Sequence, residues 1–181
     1  MVKPELTNAR VFTIGHSTHP IDEFLRMLSA NDIELVIDVR TVPGSRHNPQ
    51  FGEQELAASL PAAAIDYRWM KQLGGLRHAT KDSVNDGWRN ASFRGYADYM
   101  QTPAFADAID GLIATSREKV VAIMCAEAVP WRCHRSLIGD ALLARGIRVE
   151  DIMSVTSTKP HTLTPFAKLD GTRVWYPQIE T

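Results

Sequence analysis

Residues 10–39 read RVFTIGHSTHPIDEFLRMLSANDIELVIDV, and this stretch decides the fold class. Arg10-Val11-Phe12-Thr13-Ile14 is a short β-type run ended by Gly15. Ser17-Thr18-His19-Pro20 has the composition of a helix start, a hydroxyl cap followed by proline in the first turn. Ile21, Phe24, Leu25 and Leu28 then recur at i, i+3, i+4 and i+7, which lines one face of a helix. Asp22 and Glu23 sit in its first turn, where they favour the helix dipole, and Asn31 is its stop. Glu34-Leu35-Val36-Ile37-Asp38-Val39 is a second strand, apolar enough to be covered on both faces. Strand, helix and strand within about thirty residues form a βαβ unit, whose strands run parallel.

Working outward, Arg40 to Phe51 is a long polar loop, Glu53 to Leu60 a short helix and Ala64 to Trp69 a third strand. Leu73 to Arg94 is irregular, and a loop this long in a compact domain is usually functional or mobile. Helix returns at Tyr96 to Met100 and restarts at Thr102-Pro103, with Phe105, Ile109, Leu112 and Ile113 inward. Val120 to Cys125 is the clearest buried strand. Cys133 to Arg145 is a helix with Leu137, Ile138, Ala141 and Leu142 inward, closed by Gly146, and Val149 to Met153 is the last central strand. Residues 1–8 read as a loose arm, and Asp170-Gly171 in the polar tail marks a hairpin. The expectation is one α/β domain over 1–181, with its core at about 10–153 and a C-terminal extension at about 154–181. It should hold a mainly parallel sheet of about five strands with helices on both faces, Rossmann- or flavodoxin-like, plus a small C-terminal hairpin.

The totals narrow the partners. With 181 residues, 44% hydrophobic and 23% charged, the chain has the length of one domain with a sizeable core. A net charge of −1 gives no global attraction to nucleic acid or an anionic membrane. The longest uncharged apolar run, Val120 to Ala126, is too short to cross a bilayer, and Met1 to Leu6 lacks the apolar run of a signal peptide. Two cysteines, Cys125 and Cys133, make no disulfide framework. The expected setting is the cytoplasm, with free thiols and no membrane partner.

Ligands of open parallel sheets bind outside the carboxyl ends of the strands. Three polar loops leave the sheet there: Gly15-His16-Ser17; Asp38-Val39-Arg40 running on to Pro43-Gly44-Ser45-Arg46; and Glu127 with Trp131-Arg132-Cys133-His134-Arg135. Cys133 falls where a helix should begin, with cations around it, and both favour thiolate over thiol. Its candidate roles are nucleophile or part of an N–H cradle for phosphate or carboxylate, with packing as the alternative. Glu127 and His134 are candidates to move protons, and Glu127 can equally pair with Arg135. Arg40, Arg46, Arg132 and Arg135 are candidate anion binders, with His16, Ser17 and Ser45 as further ligand-binding candidates and Asp38 as an acid or ribose binder. An Asp38–Arg ion pair is a competing structural role. Trp131, in a loop beside arginines, can cover a flat ligand. Cys125 reads as core. No C-x₂-C pair, Gly-x-Gly-x-x-Gly or P-loop lysine motif is present, so the sequence names no metal and leaves the cofactor unknown.

Several of these segments, taken in order, resemble the bacterial domain-of-unknown-function family numbered 488. They are Thr13-Ile14-Gly15-His16-Ser17, Asp38-Val39-Arg40 with Pro43 and Ser45, Leu73-Gly74-Gly75, Tyr96-Ala97-Asp98-Tyr99-Met100, and Cys125-Ala126-Glu127 with Cys133-His134-Arg135. The similarity runs from about residue 11 to 153. It implies the α/β fold and a Cys-Glu/Cys-His-Arg site, and no substrate. Three functions follow from the residues. The first is an enzyme acting on a small anionic, phosphate- or nucleotide-like ligand. The second is a nucleic-acid binding or processing module using the same arginines with Trp131 or Trp88. The third is a non-catalytic binding protein. Asp-Val-Arg at a strand end is also similar to rhodaneses, which implies sulfur transfer. Neither cysteine, however, opens a six-residue loop closed by arginine.

Overall fold

Successive residues of the central strands are buried on alternate faces of the sheet, and each face has its own helices. In the computed structural model, which describes residues 9–179, five strands run parallel. They are β1 (Arg10–Gly15), β2 (Leu35–Asp38), β3 (Asp66–Trp69), β4 (Val121–Cys125) and β5 (Arg148–Ile152). A sixth, β6 (Thr158–Pro160), is antiparallel, and the order is β3-β2-β4-β1-β5-β6. Phe12, Ile14, Val36, Ala122 and Met124 pack with Phe24, Met27 and Leu28 of α1 (Ile21–Ser29) and Leu56 and Leu60 of α2 (Glu53–Ala62). Val11, Leu35, Ile37, Ile123 and Val149 point the other way. They meet α3 (Ala91–Tyr99), α4 (Pro103–Ser116) and α5 (Arg135–Ala144). The expected α/β architecture with helices on both faces is the one observed, and the strands covered on both sides are the apolar runs of the sequence.

The strand order positions the site. β1 and β2 do not pair with each other, because β4 lies between them and pairs in register with both. Gly15 is opposite Cys125, and Asp38 is opposite Met124. Pairing continues past the strand ends: the His16 N–H donates to the Cys125 carbonyl at 2.9 Å, Ser17 to Ala126 at 2.9 Å and Val39 to Met124 at 3.0 Å. Three loops therefore leave the sheet side by side at one topological switch point.

Several boundaries differ from expectation for local reasons. The Ser17-Thr18 hydroxyls do not cap α1. Its N-cap is Pro20, without a side-chain bond, because Ser17 is in the left-handed region (φ 47°) with its N–H committed to Ala126. α5 begins at Arg135, and Cys133 precedes it in extended conformation. α3 starts five residues earlier than the apolar pattern indicates, at Ala91, capped by Asn90, whose side chain accepts from the Ser92 and Phe93 N–H groups. Gly95 hid that turn from the pattern. A Cβ there would lie 2.3 Å from the Arg77 carbonyl oxygen, so the loop that crosses α3 demands glycine.

The tail is more integrated than an extension. Besides β6, it forms the expected hairpin, β7 (Lys168–Asp170) and β8 (Arg173–Trp175), turning at Gly171 with φ 59°. It also seats Tyr176 in the core, with its O–H on Asp140 Oδ2 at 2.7 Å. The loose arm expected at 1–8 lies outside the described residues. Among the described residues, no helix is long and apolar enough to cross a membrane.

Candidate functional site

A cavity of about 480 Å³ opens where β4 ends, and Arg40, Cys125, Glu127, Arg132, Cys133 and His134 line it. Cys125 is the last residue of β4, and Cys133 is the extended residue before α5. The excursion of the chain through Ala126 to Arg132 returns Cys133 to the cavity that Cys125 lines. Behind them lies Arg135, whose side chain is 0% exposed. Its Nη1 donates to Cys125 Sγ at 2.7 Å and to the Glu127 carbonyl. Nη2 donates to the Ala128 carbonyl at 3.2 Å and Nε to Thr13 Oγ1 at 3.3 Å.

A guanidinium stays charged in a protein, and a buried charge needs a counter-charge. Among the described residues no carboxylate oxygen lies within ion-pair distance of Arg135. The carbonyls and the threonine hydroxyl offer dipoles. Cys125 Sγ alone among its partners can carry the compensating negative charge. Burial raises the pKa of Cys125, but the hydrogen bond from the Cys133 thiol and the charge and hydrogen bond of Arg135 outweigh it. The net result is a thiol lowered from 9.0 to about 7. Cys133 moves the opposite way and is raised. It spends its proton on Cys125, it is buried, and the Cys125 anion opposes a second negative charge.

The supporting residues fix this geometry. Gly15 presses against the turn after β4, where a Cβ would fall 1.6 Å from the Glu127 carbonyl oxygen. That carbonyl is one of the acceptors holding Arg135, so glycine at position 15 lets the Arg135 cradle close. His134 donates from Nε2 to the Val39 carbonyl at 2.8 Å, which leaves the Nδ1 lone pair 3.5 Å from Cys133 Sγ. Burial, opposed by that backbone bond, lowers its pKa to about 4, so the ring is neutral. Gly75 packs on the same ring, where a Cβ would come within 2.6 Å of Nδ1. The Leu73-Gly74-Gly75 segment thus forms one wall of the site.

The other predicted residues are distributed around this centre. Asp38 and Arg40 form a buried ion pair at 2.6 Å, which Tyr67 joins through its O–H on Asp38 Oδ2, so the structural role of Asp38 is filled. Arg40 still borders the cavity. His16 is buried against Phe51 with ring centroids 4.4 Å apart, bonds to the Ser17 carbonyl and is lowered by burial to about 4. Ser45 accepts from the Asn48 N–H and so holds its own loop, while Arg46 is exposed away from the cavity lining. The Glu127 carboxylate is exposed and does not pair with Arg135, whose partner at that residue is the backbone carbonyl. Arg132 is exposed at the cavity wall. Trp131 is 63% exposed and lines a neighbouring cavity of about 390 Å³ with Trp88 and Phe166. Among the described residues no three His, Cys, Asp or Glu side chains are grouped to hold a metal ion.

From the residues alone Cys125 reads as core, because a cysteine inside an apolar strand reads as packing, and it enters the expected site through the family resemblance. The usable signal was its place as the last residue of the strand, ahead of a buried arginine ten residues on. A family model described as Domain of unknown function DUF488 matches residues 20–142, about two thirds of the chain. That span runs from the start of α1 through β4 and both cysteines into α5. Neither a curated protein nor a solved structure matches the chain. By the extent of this match, the chain belongs to the DUF488 family.

Proposed function

We propose that this protein is a thiol-dependent enzyme in which the Cys125 thiolate attacks an electrophilic centre of a small anionic substrate in the 480 Å³ cavity. The observation that carries this reading is the fully buried Arg135 guanidinium, 2.7 Å from Cys125 Sγ, with no carboxylate partner among the described residues. Arg135 holds the nucleophile as an anion, and the Glu127 and Ala128 carbonyls hold Arg135. The cation left to meet a substrate is Arg132, because Arg40 is spent on Asp38 and Arg135 on Cys125. The loops leaving the parallel strands also favour an anion. They carry Arg40, Arg46, Lys71, Arg77, Lys81, Arg89 and Arg132 against Asp82, Asp86 and Glu127, in a chain of net charge −1.

Iodoacetamide labelling of each cysteine against pH, followed by mass spectrometry, tests the reading. Cys125 should label first, with a rate that rises through pH 7 and then levels, while Cys133 labels only at higher pH. A Cys125 whose labelling rises only at the ordinary thiol pH, or not at all, would remove the nucleophile.

A further inference from the structure

Resting on that reading, we infer that Cys133 is the resolving partner of Cys125, so that the substrate class is a sulfur electrophile, a disulfide, and the pair cycles between dithiol and intramolecular disulfide. The argument is geometric. Both sulfurs face one cavity, and Arg135 contacts both, through Nη1 to Cys125 Sγ at 2.7 Å and through its backbone N–H to Cys133 Sγ at 3.5 Å. A nucleophile that worked alone would have no use for a second buried thiol on the wall of the same cavity. Placement of Cys133 in extended chain ahead of α5, rather than inside the helix, leaves its side chain free of helical rotamer constraint.

The charges order the steps. The Cys125 thiolate attacks one sulfur of the substrate disulfide; a Cys125–sulfur bond forms and the substrate's S–S bond breaks. Its electron pair leaves on the second sulfur, which takes the Cys133 proton. The negative charge that opposed ionisation of Cys133 is now gone, while the Arg135 cation remains beside it. The Cys133 thiolate then attacks Cys125 Sγ, closing the protein disulfide and expelling the first substrate sulfur as a thiolate. The substrate gains two electrons, the protein dithiol loses two, and a low-molecular-weight thiol must reduce the protein for the next turnover.

The test uses the full chain with 4,4′-dithiodipyridine, a disulfide whose thiopyridone product absorbs light. Wild type should release two thiopyridones per chain, retain no adduct and lose two hydrogens by mass. Cys133→Ser should release one and keep a mixed disulfide on Cys125 that clears about a hundredfold more slowly or worse, since the intramolecular attack is lost. A wild type that keeps a lasting adduct on Cys125 overturns the resolving role and leaves the nucleophile standing. If the wild type releases no thiopyridone, both readings fall. Because the wild type alone separates these outcomes, a variant that folds poorly does not blunt the test.

Discussion

Arg135 and His161 are both buried cations at α5, the first being its opening residue and the second packing from the tail against its middle, and they are balanced in opposite ways. His161 lies between two carboxylates, Nε2 on Asp140 at 2.9 Å and Nδ1 near Asp151 at 3.6 Å. Burial opposes its charge, but these bonds prevail and push its pKa up to about 9. Asp140 also accepts from the Thr164 N–H and O–H and the Tyr176 O–H, and Gly139 makes room for the ring. That cluster ties the tail to α5. Arg135 has carbonyls, a hydroxyl and a thiolate instead. Thr13 joins the two clusters, accepting from Arg135 Nε and donating to Asp151 Oδ1. A cation satisfied by carboxylates gains attachment; a cation left with a thiol as its counter-charge lowers the pKa of that thiol.

Removing the carboxylate should do the most damage to stability. Asp140→Ala strands His161 and the Tyr176 hydroxyl, and a broken buried ion pair costs about 3–5 kcal/mol. Urea unfolding should show that loss, while Cys125 labelling in the folded fraction keeps its midpoint near pH 7. A shifted midpoint would mean that the clusters act as one. Arg135→Met should invert the pattern. The Cys125 thiol can protonate when its cation goes, so the stability loss is the smaller cost of orphaned carbonyls, about 1–3 kcal/mol. Labelling at pH 6.5 should nonetheless fall about tenfold or more, as a thiol without its cation loses about one pKa unit or more of stabilisation. Unchanged labelling would assign the low pKa to something other than Arg135.

The smallest effect lies in pH dependence, where the clusters have opposite signs. The folded pKa of His161 is raised, so its contribution is complete below 6.5 and is lost as pH rises through about 9. That of Cys125 is depressed, so its contribution is complete above 9.0 and is lost as pH falls through about 7. Thermal melts of His161→Gln should lack the alkaline decline of wild type, and those of Cys125→Ser the neutral-to-acid part, each by roughly 2–4 °C per kcal/mol involved. Parallel curves for both variants and wild type would deny both charge assignments.

What the sequence revealed follows the range of the forces involved. Residues 10–39 disclose a parallel α/β sheet because strand and helix periods are local, and the Asp170-Gly171 turn is equally local. Strand order is not, since nothing in Val120 to Cys125 says that it inserts between β1 and β2. Of the three polar loops, those after β2 and β4 reach the cavity while Gly15-His16-Ser17 does not, and the charge state within it was not legible. That state depends on Arg135 reaching back across the turn to Cys125, and on Gly15, two strands away in sequence, clearing space for the Glu127 carbonyl. Helix-start reasoning favoured Cys133, whereas the cation contacts the cysteine that looked like core.

The position of β4 also sets the order in which this protein comes into being. β1, β2 and β3 are synthesised first, and they leave a gap one strand wide between β1 and β2. At common rates of synthesis, the 97 residues from Asp38 to Arg135 take roughly 5–20 s to emerge. Throughout that interval Cys125 is either unmade or an ordinary thiol, because its partner cation lies in a helix still to come. The growing chain cannot give Cys125 its cation until α5, which follows β4, has been made.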